Sequence, residues 1–64
     1  MLLKVKEILT TMKVWINHEV HTVINVELHY EYVKLITYQK QHHKHEVYDL
    51  PKDVYLKITH NPYE

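Results

Sequence analysis

The clearest pattern of apolar and polar positions runs from Val20 to Tyr32. Every even position in this stretch is apolar or favours strands, whereas the odd positions are polar with the exception of Val23. Successive side chains of a strand point to opposite faces, so this alternation predicts a half-buried β-strand whose even positions face the core. Those positions are Val20, Thr22, Ile24, Val26, Leu28, Tyr30 and Tyr32.

This stretch is long for one strand. It has thirteen residues, whereas strands usually have about five or six. We therefore expect a bend, or a strand that two sheets share. The alternation slips at Tyr32–Val33, where two apolar residues adjoin, and the slip predicts a bulge or a turn. Residues 33–41 then predict a further strand, with Leu35, Ile36 and Tyr38 as packing residues.

The C-terminal third alternates again after a break. Here the sequence predicts a loop at 41–45, a short strand at 46–49, a break at 50–53 and a strand at 54–59. The break is placed at Pro51, which has no N–H to donate to a neighbouring strand. In the last strand Val54, Leu56 and Ile58 share one side. An alternative is a short helix that Asp49 caps and Pro51 opens.

The first nineteen residues fit two patterns. Five apolar residues have the three- and four-residue spacing of a helical stripe: Val5, Ile8, Leu9, Met12 and Ile16. Residues 13–17 are rich in strand formers, and Asn17–His18 suits the turn of a hairpin. We expect residues 3–10 to form a strand or a short helix, and residues 14–17 to form a strand. Because the chain has no glycine, we expect type I turns or longer loops.

These elements predict a mainly β fold for residues 1–64, as one small domain. The arrangement expected is an antiparallel meander or a partly open small barrel, with or without one short helix. A domain of about 60 residues buries only about 60% of the surface that its unfolded chain exposes. The sequence therefore predicts a homo-oligomer, or a protein partner that covers more apolar surface.

The composition removes most enzyme chemistry. Six amino-acid types are missing: alanine, cysteine, phenylalanine, glycine, arginine and serine. Without serine or cysteine the two commonest covalent nucleophiles are absent, and without glycine neither a P-loop nor a dinucleotide-binding turn can form. We expect a non-enzymatic protein. So restricted an alphabet fits either a phage- or plasmid-encoded regulator or inhibitor, or an engineered protein with no natural function.

The charge balance limits the partners. Eight lysines balance eight carboxylates, for a formal net charge of zero with neutral histidines. A general nucleic-acid or anionic-membrane surface would give a net basic charge, so nucleic acid and membrane are not expected as partners. Lysines interrupt the apolar N-terminus at Lys4 and Lys6, so no signal peptide is predicted and a cytoplasmic location is expected.

Two groups of residues are candidates for binding. Trp15, Tyr38, Tyr48 and Tyr55 are the aromatic residues expected at an exposed surface, because tryptophan and tyrosine are enriched at protein interfaces. The function expected first is therefore a small β-rich module that binds a protein or self-associates. The alternative is a metal-binding protein centred on His42, His43 and His45, since imidazoles are ligands for zinc and other divalent transition metals. No other cofactor is expected.

Overall fold

A computed structural model describes all residues from Met1 to Glu64. It confirms the mainly β prediction: six strands form one antiparallel sheet, and the only helical element is a single 3₁₀ turn. The elements are β1 (Leu2–Lys4), the 3₁₀ turn (Val5–Glu7), β2 (Lys13–Ile16), β3 (Glu19–Leu28), β4 (Tyr32–Gln39), β5 (Lys44–Pro51) and β6 (Tyr55–His60).

The strand order is β1-β6-β2-β3-β4-β5. Strands β2 to β5 form the predicted meander, and β6 then crosses to pair with β2 while β1 adds outside β6. Only residues 52–54 connect β5 to β6, although β2, β3 and β4 lie between these strands in the sheet. So short a connection requires a strongly curled sheet. The curl leaves β1 and β5 as its two edges, so the sheet is open.

The turn between β2 and β3 lies at Asn17–His18, as predicted. Both residues have positive φ, 51° and 64°, which is the backbone of a type I′ turn. The prediction of type I turns or longer loops is therefore wrong here. A type I′ turn has the twist of the strands that it joins, and asparagine and histidine visit the left-handed region more readily than most residues.

A β-bulge divides β3 into two halves. Pairing with β4 shifts register between Val23 and Asn25, because one extra residue is inserted there. Before the bulge His21 and Val23 are buried, while Val20 and Ile24 are 44% and 49% exposed. The prediction of a strand is confirmed, but the assignment of Val20, Thr22 and Ile24 to the core is wrong.

The long strand ends earlier than predicted. β3 stops at Leu28, and Tyr30–Glu31 form a turn in which the N–H of His29 donates to the carbonyl of Tyr32 (2.9 Å). Tyr30 is 91% exposed, so its predicted place in the core is wrong. The turn predicted from the slip at Tyr32–Val33 is present two residues earlier.

The other predicted elements are present with different bounds. Both N-terminal alternatives occur in short form, β1 followed by the 3₁₀ turn. β5 includes Lys44, His45 and Pro51, so the predicted loop is shorter and the helix alternative is wrong. β6 confirms the last strand: Ile58 is buried and Leu56 packs against the core, whereas Val54 precedes the strand and is 41% exposed.

The core is small. Only 12 of 64 residues are buried. The apolar members are Val5, Ile8, Met12, Val14, Ile16, Val23, Val33, Leu35 and Ile58. Three polar residues complete it, His21, Thr37 and Gln39. We call the sheet face that packs against this core the inner face, and the opposite one the outer face.

Candidate functional site

The outer face carries an apolar patch that no other element covers. Its members alternate with buried residues along β2 to β5, which places them on the side away from the core. They are Trp15, Val20, Ile24, Ile36, Tyr38 and Val47, here called the outer patch. Val47 is 59% exposed and Trp15 40%. Contiguous exposed apolar surface of this kind marks interaction sites on proteins.

The outer patch ends at an open strand edge. β5 pairs with β4 alone, through eight successive residue pairs with no register shift. The opposite edge of the sheet is β1, with only three residues. An edge strand presents unpaired N–H and C=O groups to which another chain can pair. β5 is therefore the longer and more regular of the two open edges.

The backbone groups of β5 that face this edge can be assigned. Thr37 on β4 donates its hydroxyl to the carbonyl of Glu46 (3.3 Å), so that carbonyl points towards β4. Hydrogen-bonded and non-hydrogen-bonded pairs alternate along an antiparallel pair of strands. The N–H and C=O groups of His45, Val47 and Asp49 therefore point to the open edge.

Two further observations agree with this assignment. The carbonyl of Tyr32 on β4 accepts from His29 at the β3–β4 turn, so alternation directs Val33, Leu35 and Thr37 towards β5. Pro51 lies at the next outward position after Asp49, and proline is tolerated in an edge strand where its missing N–H would face solvent.

Three of the four predicted aromatic residues lie on the outer face. Trp15 is in β2 beside Val20, Tyr38 is in β4 beside Thr22, and Tyr55 is in β6, 56% exposed. Tyr38 is half-buried, because the imidazole of His45 packs over it with ring centroids 4.9 Å apart. The structure thus gathers three of the predicted interface residues on one face.

Tyr48 differs from this prediction. It lies half-buried on the inner face with the edge of its ring against His21, centroids 5.5 Å apart. Its hydroxyl donates to the Glu46 carboxylate. Burial, and then this carboxylate acceptor, raise the pKa of Tyr48 to about 12, and the same hydrogen bond holds the pKa of Glu46 below its ordinary value. Tyr48 is thus a structural residue of the inner face.

The three histidines of the metal-site hypothesis contact other side chains rather than one another. His42 contacts the Glu19 carboxylate (3.1 Å) and His43 the Tyr38 hydroxyl (3.1 Å), while His45 packs on the Tyr38 ring. The structure holds no group of three or more histidine, aspartate or glutamate side chains placed to bind one metal ion.

Sequence reasoning missed a buried polar network on the inner face. His21 Nδ1 is 3.3 Å from the Thr37 hydroxyl, and His21 Nε2 is 3.3 Å from the Gln39 amide nitrogen. That amide also donates to Glu19. The signal was present in β4, where Thr37 and Gln39 continue the odd-numbered series begun by Val33 and Leu35.

Both ring nitrogens of His21 have partners inside the sheet. Nδ1 faces the Thr37 hydroxyl, which itself donates to the carbonyl of Glu46 (3.3 Å). Nε2 lies 3.2 Å from the carbonyl of Ile16 and 3.3 Å from the Gln39 amide nitrogen. His21 is 1% exposed, which places it out of reach of a substrate. The network therefore organises the inner face.

The fold and the exposed surface define a class: a small, open, antiparallel β-sheet protein with an uncovered face and a free edge. Comparison with known proteins finds no matching family, no matching curated protein and no matching solved structure. None of the helical structure has the length and apolar character needed to cross a membrane.

Proposed function

We propose that the protein is a non-enzymatic, self-associating binding module in which two copies join through the open edge of β5. Its function rests on the continuous sheet that this pairing creates. The observation that carries the proposal is the self-complementarity of the edge about Val47.

An antiparallel pairing with its two-fold axis at Val47 matches the outward backbone groups of each copy. Val47 faces Val47 of the second copy, and His45 faces Asp49 of the second copy on either side. All of these residues direct their N–H and C=O groups outward, so each can exchange two backbone hydrogen bonds. The outer-face side chains then pair valine with valine and imidazole with carboxylate, and such opposite pairs stabilise sheets.

Neighbouring registers fit less well. An axis at Glu46 or at Asp49 sets a carboxylate directly opposite its own copy, and like charges in that position destabilise a sheet. An axis at Tyr48 sets His45 opposite Pro51 of the second copy, which has no N–H to return. Val47 is therefore the centre that combines complementary charge with a complete ladder.

The joined sheet also extends an apolar stripe. Ile36 lies beside Val47, and the bulge places Ile24–Asn25 beside Ile36 on its other side. Two copies therefore align Ile24, Ile36 and Val47 from each chain across the junction. A chain with 12 buried residues gains from this association, because small domains bury too little apolar surface to be strongly stable alone.

A cysteine pair tests the register directly, since the chain has no cysteine of its own. Val47→Cys places two thiols opposite each other, at about the 5.5 Å Cα separation that a disulfide accepts, so mild oxidation is expected to give a covalent dimer. The matched control is Val20→Cys, because Val20 is a valine on the same face, 44% exposed, in a central strand. The control is expected to stay monomeric.

A proline variant tests the edge without a cross-link. Val47→Pro removes an outward N–H that β4 does not use, so the fold is expected to survive, as it accommodates Pro51. Light scattering should show a concentration-dependent dimer for the unmodified chain and a folded monomer for the variant. A monomeric unmodified chain at high concentration overturns the proposal, and so does equal cross-linking of the two cysteine variants.

A further inference from the structure

A second feature of the outer face lies at the β2–β3 hairpin. There a cleft of about 440 Å³ opens beside Trp15. Its principal polar walls are Lys13, His18, Glu19 and Lys40. We propose that this cleft binds a nucleotide, with the base against the Trp15 ring and the phosphate between Lys13 and Lys40.

The indole is held in a position suited to stacking. Trp15 is the only tryptophan of the chain, and 40% of it is exposed. His18 meets the indole edge to face, with an interplanar angle of 88° and centroids 6.4 Å apart. Because His18 belongs to the tight β2–β3 turn, its position is fixed by the hairpin. Bases stack on such aromatic side chains whatever their identity, because every base has a π-face.

The charges of the cleft favour an anion. Neither Lys13 nor Lys40 has a carboxylate within 4.0 Å, whereas Lys4, Lys6 and Lys44 are all in ion pairs. Unpaired ammonium groups attract phosphate as point charges.

Glu19 is the only carboxylate in the cleft wall. It is already engaged, since His42 lies 3.1 Å from it and the Gln39 amide donates to it. The cleft therefore keeps two cations without acidic partners.

The size of the cleft and the charge of the whole chain favour a single nucleotide. Sites for small molecules have volumes of about 300–1,000 Å³, and this cleft lies within that range. A surface that follows a long polyanion carries a basic excess, whereas this chain has a formal net charge of zero. The proposed ligand is one base with one phosphate group, and either a free mononucleotide or the end of a nucleic-acid strand can supply it.

Trp15 itself provides the readout. Its fluorescence, excited selectively at the red edge of its absorption, is followed during titration with AMP, GMP and CMP at low salt. We expect saturable quenching by all three nucleotides. The corresponding nucleosides are expected to bind about tenfold more weakly, the factor that corresponds to one lost phosphate contact. A thymidine oligonucleotide binding more tightly than a mononucleotide would assign the site to strand ends.

Lysine variants separate a site from adventitious quenching. Lys13→Gln and Lys40→Gln are each expected to weaken nucleotide binding about three- to tenfold. The control is Lys57→Gln, because Lys57 lies beside Trp15 on β6 but outside the cleft. It should leave affinity unchanged. Non-saturating quenching, equal affinity for nucleoside and nucleotide, or equal effects of the three variants each overturn the proposal. The cleft contains no outward residue of β5, so these results do not depend on self-association.

Discussion

His21 Nδ1 and the hydroxyl oxygen of Thr37 are 3.3 Å apart between two neighbouring strands, and both side chains are almost completely buried, 1% and 0% exposed. This contact sits where an apolar pair would ordinarily fill the core. It is tolerated because both side chains have further partners: the Thr37 hydroxyl donates to the carbonyl of Glu46, and Nε2 of His21 lies 3.2 Å from the carbonyl of Ile16. Buried polar groups persist when their partners are complete.

Removal of the Thr37 hydroxyl should therefore be costly. Thr37→Val keeps the shape of the side chain but leaves Nδ1 of His21 without its hydrogen-bond partner. A buried donor or acceptor left unsatisfied costs about 1–3 kcal/mol, so the free energy of unfolding, measured by urea denaturation at neutral pH, should fall by that amount.

The control for this variant is Thr22→Val, on the outer face of β3 where no buried partner depends on the hydroxyl. Surface substitutions of this kind stay within about 0.5 kcal/mol. If the two variants have equal stability, the contact between His21 and Thr37 does not stabilise the fold.

The raised pKa of Tyr48 predicts that the fold loses stability at alkaline pH. Burial raises the pKa of this residue to about 12, whereas the ordinary value is 10.0. Below the ordinary value both the folded and the unfolded chain keep the proton, so the contribution of the folded environment is fully present. Between about pH 10 and 12 the unfolded chain loses the proton first, and the contribution disappears.

In the Tyr48→Phe variant the free energy of unfolding should consequently decrease less between about pH 9 and pH 11.5 than it does in the unmodified chain. Tyr30→Phe is the matched control, because Tyr30 is 91% exposed, and it should retain the decline of the unmodified chain. Denaturation curves at both pH values measure the difference. An unchanged decline in the Tyr48 variant would show that its hydroxyl ionises as freely as an exposed phenol.

The sequence predicts strands better than it predicts faces. In β4 the buried positions follow one parity from Val33 to Gln39, whereas the predicted packing residues include Ile36 and Tyr38, which have the other parity and lie on the outer face. In β3 the inserted residue at Ile24–Asn25 exchanges the positions that face the core, and neither residue type indicates a bulge. Because a shift of one residue exchanges the two faces of a strand, the strand is predicted correctly but the wrong residues of its first half are assigned to the core.

The candidate site could be predicted only in part, because part of it depends on pairing between distant strands. The sequence predicts Trp15, Tyr38, Tyr48 and Tyr55 as surface residues, and three of the four lie on the outer face. The open edge of β5 could not be found this way, because strand order depends on the crossover of β6 to β2, a long-range pairing that no local pattern encodes. The cleft at Trp15 depends on the β3–β4 pairing instead, which brings Lys40, directly after the end of β4, beside the β2–β3 hairpin.

Because His42, His43 and His45 are not grouped around one point, we expect the stability of the protein not to depend on metal. Chelator should leave the melting temperature unchanged, and one equivalent of zinc should not raise it, because a ligand that binds only the folded state stabilises it in proportion to its occupancy. Differential scanning fluorimetry with EDTA and with zinc measures this. Stabilisation by zinc that His43→Gln abolishes would revive the metal-binding alternative.

The positive φ of Thr11 predicts that replacing this residue with glycine stabilises the fold. Thr11 has a φ of 72°, and a β-branched residue in the left-handed region is strained by about 1–2 kcal/mol. Its backbone N–H nevertheless donates to the carbonyl of Val23 (2.8 Å), which holds the residue in place at the entry to β2. Thr11→Gly should relieve the strain, and after the added freedom of glycine in the unfolded chain, about 0.5–1 kcal/mol, a net gain of about 0.5–1 kcal/mol should remain.

Thr10→Gly is the matched control, because Thr10 precedes Thr11 and is not among the residues with positive φ. Thr10→Gly adds the freedom of glycine to the unfolded chain and relieves no backbone strain, so the free energy of unfolding of this variant should fall. The hydroxyl of Tyr63 donates to the backbone carbonyl of Thr10 (2.8 Å), a contact that both variants keep, whereas Thr11→Gly alone removes the exposed 3.4 Å contact of the Thr11 hydroxyl with the Tyr63 hydroxyl. Urea denaturation should therefore give changes of opposite sign, and a decrease in both variants would mean that Thr11 holds its conformation without strain.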